Sequence, residues 1–152
     1  MLLAAPLHDV GKIGTPESVL LKPGKLDTDE IAIMKQHAQN GYDILSHSKH
    51  PIMQAAANIA QNHHERWDGS GYPNGLKGTQ IPIEARITSL VDVYDALRSK
   101  RPYKPEFDQK KSLSIMLDGD GRTDPLHFDP ELIAILVKVA DKFDGIYSPL
   151  AD

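Results

Sequence analysis

Pro51-Ile52-Met53-Gln54-Ala55-Ala56-Ala57-Asn58-Ile59-Ala60-Gln61-Asn62-His63-His64 is the stretch that decides the architecture. Proline suits the first turn of a helix, where its missing N–H would have no intrahelical partner. Ile52, Ala55, Ala56, Ile59 and Ala60 then recur at the spacing of one helix face and are expected to point inward. The doublet His63-His64 falls near the last turn. Adjacent helical residues point about 100° apart, so both imidazoles line one pocket only if it is wide, as a two-metal centre is. The competing reading is a polar helix end in which the histidines meet the helix dipole.

Toward the N-terminus the pattern stays helical. Asp27 followed by Glu30 has the spacing of a capping box. Ile31, Met34, Ala38, Gly41 and Leu45 predict one helix of about five turns, with His37 beside its apolar stripe. Residues 15–26 hold Pro16, Pro23 and Gly24 and read as a loop with one turn of helix. Met1 to Leu7 is apolar without a basic flank or cleavage site, so it reads as the end of a buried helix whose earlier turns are missing, not as a signal peptide. His8-Asp9 follows it. A neighbouring imidazole and carboxylate can hold one metal ion while the carboxylate bridges to a second; the bland alternative is a helix cap with an incidental acid. Lys12, one turn beyond His8, can face the same pocket and stabilise a phosphoryl oxygen or protonate a leaving group.

Toward the C-terminus, residues 67–80 carry Gly69, Gly71, Pro73, Gly75 and Gly78 and read as a loop of special backbone shape. Pro82 opens a helix to about Ser99, with Ile83, Ile87, Leu90, Tyr94 and Leu97 inward. Asp92 stands in Leu90-Val91-Asp92-Val93-Tyr94, and a carboxylate among apolar residues is costly unless a cation or hydrogen-bond partner meets it. Asp95 supports that site or pairs with Arg98 or Arg101. Arg101 and Lys104 read either as a solvated basic helix end or as a phosphate clamp. Helices are also expected at Phe107–Leu117 and Leu132–Phe143, the latter started by Asp129-Pro130. His47 and His50 flank a turn and are not read as ligands, His127 packs or caps near Asp129, and Asp118-Gly119-Asp120-Gly121 lacks the ligands of a calcium loop and reads as a surface turn. With no alternating strand pattern, the class is all-α.

Composition narrows the function classes. The 152 residues suit one domain, and 40% hydrophobic content is enough for a core. A formal net charge of −4 argues against broad binding to nucleic acid polymers or acidic membranes. No cysteine is present, which excludes disulfides and thiolate metal sites and is compatible with a reducing cytoplasm. No apolar run approaches the roughly 20 residues of a membrane helix.

These residues resemble a known family. His8-Asp9-Val10-Gly11-Lys12-Ile13-Gly14 resembles the HD signature, and His63-His64-Glu65-Arg66-Trp67-Asp68-Gly69-Ser70-Gly71-Tyr72-Pro73 closely resembles the second signature of HD-GYP domains. Asp92-Val93-Tyr94-Asp95-Ala96-Leu97, Arg101-Pro102-Tyr103-Lys104 and His127-Phe128-Asp129-Pro130 continue the resemblance in order. It implies an HD-superfamily helical bundle over residues 1–152, partial at the N-terminus, and a phosphodiesterase that hydrolyses cyclic di-GMP to pGpG or GMP in bacterial signalling. It implies His8, Asp9, His37, His63, His64 and Asp92 as ligands of two divalent ions, iron or manganese, with Asp9 bridging. Asp9 and Lys12 would serve catalysis, Lys12 at the scissile phosphate. Arg101 and Lys104 would hold substrate phosphates, and Gly71, Tyr72 and Pro73 would shape the cleft and meet GGDEF-domain partners. The family's usual N-terminal helices, which supply a further ligand, have no counterpart here, so a homodimer and an impaired module that binds a cyclic dinucleotide or a GGDEF-type partner are the alternative expectation.

Overall fold

Apolar periodicity becomes helix throughout. The structure, a computed structural model, describes residues 1–100 and 106–147, so Arg101 and Lys104 lie outside the described residues. Among the described residues there is no strand, and the α-helices are α1 (Glu17–Leu20), α2 (Thr28–Lys35), α3 (His37–Ser46), α4 (Pro51–Asn62), α5 (Ile83–Arg98), α6 (Gln109–Asp118) and α7 (Pro130–Tyr147). The chain divides into two compact units, Met1–Thr88 and Ser89–Asp152.

In the first unit α4 is the central helix. Pro51 occupies its first turn, as its chemistry requires, and the His50 side chain accepts from Ile52 N–H. Ala56, Ala57, Ile59 and Ala60 are buried with Ala4 and Leu45, whereas Ile52, expected inward, is exposed. Small residues on α4 and α3 let the backbones approach closely. A Cβ on Gly41 would stand 3.0 Å from the Ala60 methyl, and one on Gly11 would stand 2.0 Å from the His37 carbonyl oxygen. The 3-10 turn Val10–Gly14, which carries Gly11, is thereby laid directly on α3.

Two local expectations are corrected. The single helix predicted from Asp27 to Leu45 is two helices, broken at Gln36. Its start is as read: Asp27 accepts from Glu30 N–H, and the Glu30 carboxylate accepts from Asp27 N–H, each at 2.9 Å. The break comes where His37 Nδ1–H takes the Met34 carbonyl at 2.7 Å, and Gln36 N–H turns back to Ile33 at 3.1 Å, a tighter i−3 bond. The segment Met1–Leu7 is not the end of a buried α-helix. It is a turn followed by the 3-10 turn Ala5–Leu7; Leu2 is 92% exposed and Leu3 72%, and only Ala4 is buried. Pro6 has no N–H to continue an α-helical ladder, and the Ala5 carbonyl is shared with the His8 ring.

In the second unit Leu90, Tyr94 and Leu97 of α5 pack with Ile115 and Met116 of α6, Phe128, and Leu136 of α7. Asp108 caps α6 by accepting from Lys111 N–H at 2.7 Å, and Asp129 caps α7 by accepting from Glu131 N–H at 2.9 Å. Arg98 pairs with Asp144 at 2.8 Å and donates to the Tyr94 hydroxyl at 3.1 Å. Asp118 is the last residue of α6, and the surface turn expected follows it, with the Asp120 carboxylate accepting from Arg122 N–H and Thr123 N–H.

Candidate metal centre

Each histidine of the cluster is aimed by its own backbone. Asp9 and His8 stand before the 3-10 turn Val10–Gly14, His37 opens α3, and His63 and His64 follow α4. His63 keeps helical backbone as the C-cap of α4, with its N–H bonded to the Ile59 carbonyl, and the His63 and His64 rings lie 4.0 Å apart at 43°. The wide pocket inferred from helical geometry is therefore not needed to bring them together. Asp9, His37, His63 and His64 each offer one ligand atom, and these atoms lie within 4.8 Å of one another.

The hydrogen bonds decide which ring nitrogen faces inward. His8 Nδ1–H donates to the Ala5 carbonyl at 2.8 Å, His37 Nδ1–H to Met34 at 2.7 Å, and His63 Nδ1–H to Ala60 at 3.0 Å. A carbonyl can only accept, so each of these rings carries a proton on Nδ1, and a neutral ring then presents Nε2 as an acceptor; His8 also serves Asp9 as a hydrogen-bond donor. Those Nε2 atoms surround Asp9: His8 stands 3.4 Å from Oδ2, while His37 and His63 stand 3.4 and 3.8 Å from Oδ1. The Nε2 atoms of His37 and His63 are 3.5 Å apart, and His64 Nε2 is 3.1 Å from that of His37.

Charge considerations give the same picture. Burial, with the nearby charges of His8 and His37, pushes the His63 imidazole down to about 4, so it is neutral at pH 7. Burial and the other histidines lower His64 further, to about 2. Burial works to raise the Asp9 carboxyl, but hydrogen bonds from His8 and Lys12 prevail and hold it well below the usual carboxylate range. Asp9 Oδ1 is nevertheless buried without a hydrogen-bond partner. Lone pairs converging on a buried carboxylate oxygen repel one another unless a cation lies between them. Imidazole Nε2 with carboxylate oxygen is the donor set of divalent iron, manganese or zinc, and an Nδ1–H anchored to a carbonyl is the usual support of a metal-ligating histidine. The residues present fit a metal.

The other expected residues are placed as follows. Lys12 Nζ donates to Asp9 Oδ2. Tyr72 stacks on His64, with ring centroids 4.7 Å apart at 21°. Gly71 makes this possible: a Cβ there would stand 2.3 Å from Arg66 N and 2.6 Å from the His64 carbonyl oxygen, which itself accepts from Tyr72 N–H. Asp92 is half-buried in α5 and belongs to the second unit, whereas the cluster is drawn from the first alone. His50 Nδ1 accepts from Ile52 N–H and His127 Nδ1 from Asp124 N–H, each at a helix start.

Sequence reasoning missed Glu65. It is 2% exposed, and its carboxylate accepts from Asn74 N–H at 2.7 Å and Leu76 N–H at 3.0 Å. An acid immediately after the histidine doublet thus ties the Gly-Tyr-Pro loop to the end of α4. The only available signal was an acid opening a glycine-rich loop, whose many backbone N–H groups need acceptors.

Comparison with known proteins agrees with this geometry. A family model described as HD domain matches residues 1–132. The chain is 51% identical over 136 residues to the cyclic di-GMP phosphodiesterase response regulator RpfG of Xanthomonas campestris pv. campestris, covering 90% of this chain and 35% of that protein. It is 48% identical over 149 residues to the 3'3'-cGAMP-specific phosphodiesterase 2 of Vibrio cholerae, covering 98% of this chain and 28% of that protein. A cyclic di-GMP phosphodiesterase of Thermotoga maritima is 45% identical over 144 residues, covering 95% of this chain and 38% of that protein. The chain spans about a third of the length of these curated relatives. Family model and histidine geometry together establish that the chain belongs to the HD domain family.

Proposed function

We propose that this chain carries the hydrolytic centre of a cyclic dinucleotide phosphodiesterase, acting in the cytoplasm of a bacterium. The observation that carries the reading is the approach of the His37 and His63 Nε2 atoms to a buried, unpartnered Asp9 Oδ1, with His64 Nε2 beside that of His37. Names of the relatives support the substrate class: two act on cyclic di-GMP and one on 3'3'-cGAMP.

In this reading His8, Asp9, His37, His63 and His64 hold divalent ions, two of them, iron or manganese. Asp92 joins them on the strength of the motif resemblance, as do Arg101 and Lys104 as the clamp on substrate phosphates. Bound divalent ions supply positive charge against phosphoryl oxygens and ionise a water near neutral pH. Asp9, kept ionised by His8 and Lys12, would supply the negative charge that holds them. Lys12, beside Asp9, places a proton donor at the reacting phosphate. Water adds to phosphorus, the bond from phosphorus to the 3′ oxygen breaks, and that oxygen leaves with a proton from Lys12 or solvent. The product is the linear dinucleotide, cut further to the mononucleotide if it rebinds. Tyr72 and the loop held by Glu65 cover the histidine side of the site.

The test is turnover of cyclic di-GMP and 3'3'-cGAMP by protein loaded anaerobically with Fe(II) or Mn(II). Release of linear dinucleotide from either substrate supports the reading and names the preferred one. Tight binding of either without turnover would instead favour a binding module that docks a cyclic dinucleotide or a GGDEF-type partner.

A further inference from the structure

The charged rim of the metal centre contains a residue to which the family resemblance assigns no role. Lys35, the last residue of α2, places its ammonium over the Tyr72 ring, 4.9 Å from the centroid, and among the described residues it has no carboxylate partner. An aromatic face attracts a cation without neutralising it, so this ammonium keeps its charge and its donors. Lys12, by contrast, is already paired with Asp9. A line of contacts joins the two lysines: Lys12 to Asp9, Asp9 to His37 at 3.4 Å, His37 to His64 at 3.1 Å, His64 to Tyr72 at 4.7 Å, and Tyr72 to Lys35 at 4.9 Å. Lys35 therefore stands one aromatic layer beyond the cluster. The break at Gln36 fixes this placement, because only that residue separates the end of α2 from His37.

A cyclic dinucleotide carries two phosphodiesters. While one is at the metal centre and Lys12, the other needs its own positive partner. We propose that Lys35 is a substrate-binding residue whose ammonium contacts the phosphodiester that is not being cut. The proposal rests on the phosphodiesterase reading above. Lys35 is then a specificity element: it favours substrates with a second phosphodiester over simple diesters.

The experiment compares the Mn(II)-loaded full chain with its Lys35→Met and Lys35→Arg variants. Affinity for cyclic di-GMP and 3'3'-cGAMP is measured by calorimetry, and KM and kcat by product release. Lys35→Met weakens binding and raises KM about tenfold, the scale of one charge-assisted hydrogen bond, with a much smaller change in kcat and no change in metal content. Lys35→Arg recovers most of the affinity. With bis(4-nitrophenyl) phosphate, which has a single phosphodiester, Lys35→Met shifts KM far less. Unchanged affinity in Lys35→Met would overturn the proposal and leave Lys35 as a favourable charge at the end of α2. An equal tenfold loss with the simple diester would also overturn it, because Lys35 would then serve the phosphate being cut. If the unaltered protein neither binds nor cuts any of these compounds, the phosphodiesterase reading falls and this proposal with it.

Discussion

The proton on Nδ1 of His37 and of His63 is held by a backbone carbonyl in each case, and this turns generic histidines into convergent acceptors beside Asp9. The residue types were legible in the sequence, and so was the pairing of His8-Asp9 with His63-His64. The tautomers were not, because they depend on carbonyls that become available only where Met34 and Ala5 sit in broken or 3-10 helix. Glu65 was also illegible as an anchor: its two amide donors lie nine and eleven residues away in a loop without periodicity. Glu65→Ala leaves Asn74 N–H and Leu76 N–H unsatisfied, and each orphaned donor costs about 1–3 kcal/mol. Chemical denaturation is expected to show a loss of about 2–4 kcal/mol on that scale. A loss under about 0.5 kcal/mol, the size of a neutral surface change, would mean that water replaces the carboxylate.

Helix starts were read correctly because capping chemistry is local. Asp27 with Glu30, and Pro51 at the head of α4, need no knowledge of the rest of the chain. Asp27→Ala is expected to lower stability by about 1 kcal/mol without altering metal content, with thermal melting as the check. The Glu30 backbone N–H holds the Asp27 carboxyl below its ordinary value of 3.8. The cap is therefore fully present above pH 3.8 and is lost as the pH falls through the lower folded value. Helix breaks were harder to read. The apolar residues recur at helical spacing across Gln36, yet none in α2 is buried while Ala38, Gly41 and Leu45 of α3 are, and at the break the His37 ring takes a backbone acceptor. The approach of Val10–Gly14 to α3 has its own test. Gly11→Ala forces a methyl into the His37 carbonyl and should cost about 1–3 kcal/mol as overpacking, while parting Asp9 from His37. Metal affinity should fall along with stability; full metal affinity in a folded Gly11→Ala protein would show that this contact does not set the site.

At the scale of the molecule, the all-α class followed from helical periodicity and the lack of strand alternation, and the described residues agree. Division into two units was not legible, since length and composition suit a single domain of this size. It arises from two separate apolar clusters, one centred on Ala56, Ile59 and Ala60 and the other on Leu90, Tyr94 and Met116. Among the described residues no helix is long and apolar enough to cross a membrane. The proposed substrate clamp extends the account to residues outside the described set: Arg101→Ala is expected to raise KM for cyclic dinucleotide about tenfold or more, with metal content intact. Loss of metal in that variant would show that Arg101 supports the ligand set instead. Central to the whole account is the claim that Asp9 and the histidines around it form a metal centre. The most direct measurement is the bound Mn(II) or Fe(II) per chain, by elemental analysis after anaerobic loading and desalting, in the unaltered protein and in Asp9→Ala. The account predicts metal retained in the first and lost in the second with the fold intact by circular dichroism. Equal metal in both, or none in either, would contradict it.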